Sequence, residues 1–283
     1  MKTTLKSILT ATILATSLVG TALADDFIIT TGGEGGGYER LGHMFASHIK
    51  KQKRHDLEPE VVNSTGSLEN IECINLGECH AAIVQMDALN LSPPKIPVKT
   101  KPAHTEYVYW LYNKEYNYTD IEDIEGKEDL YITVVDGSGS KVTLDSFAQE
   151  DSGYKVNVDN AIYVDDLYEA VSAVADGRYN NKKVVGTVYV GSTIPAEIAE
   201  DFKSKVWVGE ATDGDFNDAK DLNGEPLYFN CEVNKGNLRG MNTSTWSNPD
   251  TVCVKASIIF INDLEKDDLK AVKKAATKAV RGL

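Results

Sequence analysis

The sequence predicts an α/β protein of two lobes. Three observations predict it: two successive β-α-β-α series, a glycine-dense turn joining the first strand to the first helix, and an acid-rich middle third. From Asn113 to Val206 there are 9 basic and 19 acidic residues, whereas the flanking parts are nearer balance. Alternating strands and helices imply parallel-type sheets covered by helices. A composition shift of that size suggests that the middle is a separate lobe.

The elements read in order as follows. Residues 1–24 read as a leader. Lys2 and Lys6 precede an apolar stretch, Ile8 to Val19, and Ala22-Leu23-Ala24 fits signal-peptide cleavage. A retained anchor is the alternative, but the stretch is short for a span and is broken by Thr10, Thr12, Thr16 and Ser17. The mature chain is expected to start at Asp25, exported to the periplasm.

The first series begins with Phe27–Thr30 as a strand. The turn Thr31-Gly32-Gly33-Glu34-Gly35-Gly36-Gly37 follows, then a helix from Tyr38 to about Lys51 with Leu41, Met44, Phe45 and Ile49 on one face. Glu60–Asn63 reads as a short strand. Ser64 or Ser67 caps a helix that runs to Leu76 and stops at Gly77. Ala81–Gln85 is a third strand, Ser92-Pro93-Pro94 a break, and Tyr107–Tyr112 another strand.

The second series starts with the strand Tyr131–Val135, the turn Asp136–Ser140 and a helix to Glu150. Ala161–Val164 is a strand. Asp165 or Asp166 starts a helix with Leu167, Ala170, Val171 and Val174 at helical spacing, ended by Gly177. Val184–Val190 is a strand, followed by a helix around Pro195–Lys203. Thr251–Ile261 is β-rich, and a final helix runs from Leu269 to Val280. The polar stretch 212–248 resists assignment, but its Cys231 suggests a stapled loop.

Net charge is −14, and −16 without Lys2 and Lys6. That disfavours nucleic acid and anionic membranes as partners. The cysteines are Cys73, Cys79, Cys231 and Cys253. In an exported chain they read as disulfides, with sequence proximity favouring Cys73–Cys79 and Cys231–Cys253 among three pairings. The chain-entropy model gives roughly 2.4 and 3.4 kcal/mol for such loops. The histidines show no ligand spacing, so no metal and no cofactor is expected.

Four segments place small or amide-bearing residues where a strand ends or a helix begins: Thr31–Tyr38, Ser64–Ser67, Gln85–Asp87 and Asp136–Ser140. Open α/β sheets bind ligands outside the carboxyl ends of their strands. Hydroxyls and free helix N–H groups suit an anionic group. Ordinary capping and turn chemistry is the alternative for each segment. Ser138-Gly139-Ser140-Lys141 fits the S-x-x-K string of serine acyl-transfer enzymes, but the companion S-D-N and K-T-G strings are absent, as are G-x-S-x-G and a P-loop. No enzyme activity is expected; an exported hydrolase is the remaining catalytic alternative.

Thr31-Gly32-Gly33-x-Gly35-Gly36-x-Tyr38-x-x-Leu41-Gly42 resembles the opening motif of TAXI-type solute receptors, the extracytoplasmic proteins associated with TRAP transporters. Ser64–Ile71 resembles their T-G-G-S-x-E-N segment, Ala82–Ala88 their A-I-V-Q-S-D segment, Gly137–Ser140 their G-S-G-T turn, and Asp250–Val254 their D-V-P-T-V-G-V stretch. Arg40 stands where proline is usual, Ser67 follows one glycine rather than two, and Lys141 replaces a usual threonine or glutamate. The resemblance implies a type II periplasmic-binding fold: two mixed sheets flanked by helices, with a hinge between the lobes. It implies a monomer that captures a small organic anion or amino acid, glutamate-like or a dicarboxylate, for a membrane-embedded permease. A sensor that passes its state to a membrane receptor is the alternative.

The expected lobes are 25–112 plus 207–283, and 113–206. The expected ligand contacts are Gly33, Gly36, Gly37, Tyr38, Thr65, Gly66, Ser67 and Gln85 on one wall. Ser138, Gly139, Ser140, Lys141 and Gly191 form the other.

Overall fold

The computed structural model describes residues 25–221 and 224–282; the leader expected over 1–24 lies outside the described residues. Among the described residues no helix is long and apolar enough to cross a membrane.

The first lobe is built from β1 (Asp25–Thr30), α1 (Gly37–Lys50), β2 (Leu57–Val62), α2 (Ser67–Leu76), β3 (Ala81–Gln85) and α3 (Met86–Leu91). β1 pairs in parallel with β2 and β3. β2 starts earlier than expected because Leu57 and Pro59 alternate inward. It lies at the edge of the sheet, where a proline costs no ladder bond. β3 is buried throughout, as an interior strand covered on both faces must be.

The strand expected at Tyr107–Tyr112 is the second half of a longer one, β4 (Val98–Asn113). The second lobe follows: β5 (Tyr131–Val135), α4 (Gly139–Glu150), α5 (Lys155–Asp159), β6 (Ile162–Val164), α6 (Leu167–Asp176), β7 (Arg178–Tyr179), β8 (Lys182–Gly191), α7 (Ala196–Phe202) and β9 (Val206–Gly209). The chain ends with β10 (Phe229–Glu232), β11 (Asp250–Ile261) and α8 (Lys266–Arg281).

Two strands join the lobes into one continuous ladder, β2-β1-β3-β11-β4-β8-β5-β6. β4 pairs with β11 as far as Glu106, then with β8 from Tyr107 to Tyr112. β11 pairs with β10 over Asp250–Cys253, then with β4 from Val254 and with β3 from Ala256. A register irregularity between Lys255 and Ser257 marks the crossing. The mixed sheets therefore meet at Glu106 and Val254, where both strands change partners.

Each half of the ladder is covered on both faces. Phe27, Ile29, Leu41, Phe45 and Val272 pack α1 and α8 on one side of the first lobe, and Ile71, Ile74, Val84 and Leu89 pack α2 and α3 on the other. In the second lobe Trp110, Ile132, Phe147 and Val188 form one core, and Tyr109, Val171, Val174 and Ile198 another.

The segment 207–249, assigned to the first lobe from sequence, packs on the second. β9 adds to β4. Ala211, Phe216, Leu227 and Tyr228 join the core around Phe147, and Val233, Leu238 and Met241 join the core around Tyr109. Its apolar residues are too sparse for periodicity to reveal this; they plug gaps one at a time.

Both expected disulfides are present. Cys73–Cys79 closes the end of α2, with Cα atoms 5.3 Å apart. Cys231–Cys253 ties β10 to β11 at 6.0 Å. Both separations suit an unforced bridge.

Candidate ligand-binding cleft

Three long helices point their first turns toward the junction of the lobes, and two of those turns hold a carboxylate of their own. At α1, the Gly35 N–H donates to Glu39 Oε2 at 2.7 Å. At α2, the Thr65 N–H and hydroxyl donate to Glu69 Oε2 at 2.8 and 2.6 Å. These bonds hold both acids below their ordinary pKa, the Gly35 N–H leading for Glu39 and the Thr65 hydroxyl for Glu69. The start of α4 differs. Ser138 is its N-cap, accepting from the Lys141 N–H at 3.3 Å and donating to the Val135 carbonyl at 2.7 Å. No acid stands in its first turn. Lys141 reaches forward along the helix to Asp145 and lies over the Tyr163 ring.

The starts of α2 and α4 meet directly. Gly66 has φ of +151°, and a Cβ there would lie 2.9 Å from the Gly137 carbonyl oxygen. Only glycine allows that backbone and that approach. A Cβ on Gly139 would lie 1.5 Å from Gln85 Oε1. Gln85 crosses between lobes: its N–H donates to Ser67 Oγ at 3.0 Å, and its Nε2 donates to Thr143 Oγ1 at 3.1 Å and to the Gly139 carbonyl at 3.4 Å.

Beside Gln85 lies Asp87, fully buried at the start of α3. It accepts from Thr143 Oγ1 at 2.7 Å and Tyr228 OH at 2.9 Å, both from the second lobe, and from its neighbour's backbone, Ala88 N–H, at 2.8 Å. Burial pushes its pKa up to about 6 against these bonds, with the nearby Glu106 adding to the rise. The desolvated charge outweighs the donors gathered around it.

Glu106 is the second buried acid, at the residue where β4 changes partners. It accepts from Tyr38 OH at 2.8 Å and lies 3.3 Å from His104 Nε2. Burial, then Glu106, pushes the Tyr38 hydroxyl far up in pKa. Tyr109 and Tyr189 stack nearby, ring centroids 5.7 Å apart. Among the described residues neither Asp87 nor Glu106 pairs with a lysine or arginine.

The expected contacts thus separate. Tyr38, Ser67 and Gln85 join the buried acids, and Gly66 and Gly139 make the lobe contact. Gly37 faces Ser192, and Gly191 abuts the Tyr189 hydroxyl. Gly33 and Gly36 form the hydrogen-bonded turn before α1, at 3.1 Å. Gly36 and Arg40 line an outer groove. Thr65 binds Glu69, and Ser140 accepts from the Val190 N–H at 3.0 Å within its own lobe. The sequence reading placed Asp87 in the Gln85–Asp87 segment but not among the expected contacts, and it left out Glu106, Thr143 and Tyr228. An acid two residues after the buried strand β3 is a signal for Asp87; Glu106 follows a polar run and carries none. A wider groove of about 880 Å³ crosses the lobes behind the contact, lined by Leu68, Glu72, Lys95, Asp145 and Lys155, and takes in none of the expected residues.

Asp87 is ringed by hydroxyls with no basic side chain beside it, and Glu106 has only the His104 ring beside Tyr38. The start of α4 offers N–H donors with no acid in its first turn.

No protein-family model and no curated protein matches the sequence. Solved structures do match in fold. One is the GluR0 ligand-binding core in complex with L-glutamate, with TM-score 0.53 and 10% identity, covering 93% of this chain and 96% of that one. Another is MatC from Rhodopseudomonas palustris with bound malate, with TM-score 0.52 and 13% identity, covering 90% and 84%. The fold is the type II periplasmic-binding fold. Asp87 and Gln85 from one lobe and Thr143 and Tyr228 from the other meet where the two lobes touch.

Proposed function

We propose that this protein is an extracytoplasmic solute receptor that captures a glutamate-like amino acid between its lobes and delivers it to a TRAP-type membrane permease. The observation that carries the reading is the pair of buried carboxylates, Asp87 and Glu106, neither paired with a lysine or arginine among the described residues, His104 being the one basic ring beside Glu106. A buried charge is costly unless paired. The ammonium group of an amino acid pairs with both. Its carboxylate lies at the start of α4, where the N–H groups of Gly139 and Ser140 are not met by an acid of the chain's own. A dicarboxylate supplies only like charge to Asp87 and Glu106 and leaves them unpaired. The amino acid is therefore favoured over the dicarboxylate.

The permease belongs to the reading through the resemblance of the glycine turn and its four companion segments to TAXI-type receptors. The disulfides fit an oxidising compartment outside the cytoplasm. Binding proceeds by hydrogen bonding and lobe closure, without a covalent step. Isothermal titration with L-glutamate, L-aspartate, neutral amino acids, succinate, malate and putrescine tests it. The expected result is saturable binding of an amino acid and none of succinate or malate. Binding of the dicarboxylates alone overturns the amino-acid reading.

A further inference from the structure

The outer face of the first lobe is basic although the chain is acidic. α1 and α8 lie side by side there and run in opposite directions. A Cβ on Gly282, beyond the end of α8, would fall 2.7 Å from Met44 Cε of α1. The Asp56 N–H, beyond the end of α1, donates to Asp268 Oδ1 in the first turn of α8 at 3.2 Å. Their inner faces share one core, where Leu41, Phe45 and Ile49 pack with Val272, Ala275 and Ala279. Over residues 37–58 and 266–281 there are eleven lysines and arginines against five acids. All eleven are exposed. Among the described residues only Lys50 of these is in an ion pair, with Glu58 at 2.6 Å. Glu39 is already held by the Gly35 N–H and Asn63 Nδ2.

After Asp268, α8 carries Lys270, Lys273, Lys274, Lys278 and Arg281 and no acid. Val272, Ala275, Ala276 and Ala279 turn inward, so the bases between them turn outward. At 16 residues the helix is about 24 Å long. A groove of about 570 Å³ runs along α1, and Arg40, His43, His48 and Lys51 line it. The net charge of −14 opposes an anionic surface, but at physiological ionic strength charge is felt over only about 8 Å. A surface touching α1 and α8 therefore meets their charges first. The acidic lobe 113–206 is repelled from the same surface, which orients the molecule.

The composition of the face selects the partner. Protein interfaces have apolar cores and few lysines. Among the described residues the exposed large apolar side chains are Leu76, Tyr163, Tyr168 and Trp246, none of them on either helix. Lysines spread along two helices without an apolar anchor suit lipid headgroups, which move to meet them. We infer that the α1/α8 face docks this protein on an anionic lipid bilayer, by charge alone and with no side chain inserted into the hydrocarbon. The docking does not depend on what the cleft binds.

The test is co-sedimentation of the full mature chain with vesicles of phosphatidylcholine, alone or with one-third phosphatidylglycerol. Binding to the anionic vesicles alone is expected at about 20 mM NaCl, weakening roughly tenfold or more at about 0.5 M, where charge is screened. A basic residue near such a surface is worth about fivefold in partition, so Lys273→Gln, Lys274→Gln and Lys278→Gln together should cost roughly a hundredfold. Arg40→Gln, Lys51→Gln and Lys53→Gln, on and just after α1, should give the same loss and serve if the α8 variant does not fold. Lys182→Gln, Lys183→Gln and Lys203→Gln, in the acidic lobe, should together leave binding unchanged. No binding to the anionic vesicles at low salt overturns the inference, as does equal binding to the neutral ones. An equal loss in the acidic-lobe variant makes the attraction non-local and also overturns it. Salt-sensitive self-association without vesicles, read by sedimentation equilibrium and abolished in the α8 variant, would assign the face to a second copy of the chain instead.

Discussion

Replacing Asp87 with asparagine separates binding from stability. Asp87 is fully buried, and its pKa stands at about 6 against an ordinary 3.8. A rise of that size makes holding the charge in the folded protein at neutral pH cost about 3 kcal/mol. The sign follows from proton binding. A carboxyl whose folded pKa is raised contributes stability that is fully present below 3.8 and is lost as pH climbs through about 6. Asp87→Asn removes the charge but keeps one acceptor oxygen, where Thr143 and Tyr228 now donate to one oxygen and Ala88 and Gln85 to the other. The two lost bonds cost about 2 kcal/mol. The variant should therefore be about 1 kcal/mol more stable at pH 7.5, a Tm gain of roughly 2–4 °C. At pH 4 the gain should vanish. Binding of L-glutamate, or of the amino acid that titration selects, should weaken about ten- to a hundredfold, the worth of a hydrogen bond to a charged group. In the unmutated protein affinity should fall below about pH 6, as protons compete for Asp87. Differential scanning fluorimetry at the two pH values and calorimetry at pH 7.5 read both quantities. A variant that is less stable at pH 7.5 yet binds normally would make Asp87 a clamp between the lobes, and the reasoning would fail.

Other outcomes follow from the same contacts. Gly66→Ala sets a Cβ against the Gly137 carbonyl in a left-handed backbone, so it should hold the lobes apart; small-angle scattering should show a larger particle with ligand than the unmutated protein gives. Ser138→Ala removes the cap of α4 and should cost about 1 kcal/mol, a Tm loss of roughly 2–4 °C, while calorimetry finds ligand affinity nearly unchanged. Loss of Cys231–Cys253 by serine substitution at both positions should cost up to about 3.4 kcal/mol in urea unfolding. A loss under about 1 kcal/mol would show that β10 is held by pairing and packing instead.

Much of the α/β plan was legible because it rests on local periodicity. α1 has the predicted apolar face, with Leu41, Phe45 and Ile49 buried and its bounds shifted by one residue at each end. α2 ends at Gly77 in the left-handed conformation, as a helix stop requires. The two disulfides followed from proximity and compartment. The first half of β4 was hidden because Lys99, Lys101 and Pro102 give no alternation of apolar residues; its place comes from pairing with β11. Asp87 and Tyr228 are 141 residues apart, and no local pattern announces such a contact. The same holds for 212–249, whose cores are made by tertiary packing.

The charge at the helix starts decides which end of the cleft takes an anion. Glu39 and Glu69 occupy the third position of α1 and α2 and bind the N–H groups ahead of those helices. Lys141 occupies the same position of α4, behind a serine cap. Glutamate at that position completes the serine–glutamate capping box, a motif that closes a helix start on itself. Lys141→Glu should therefore fill the place proposed for the ligand carboxylate. Its repulsion with Asp145 one turn on costs about 0.2–0.5 kcal/mol, which the capping box offsets, so the Tm should hardly move. Changing the charge by two units about 6 Å from the ligand carboxylate, at an effective dielectric of about 40, costs about 2.8 kcal/mol, a hundredfold loss of affinity. That loss should shrink in 1 M salt, where the screening length is about 3 Å. Unchanged affinity at low salt would remove the start of α4 from the binding site and leave the two buried acids as its only anchor.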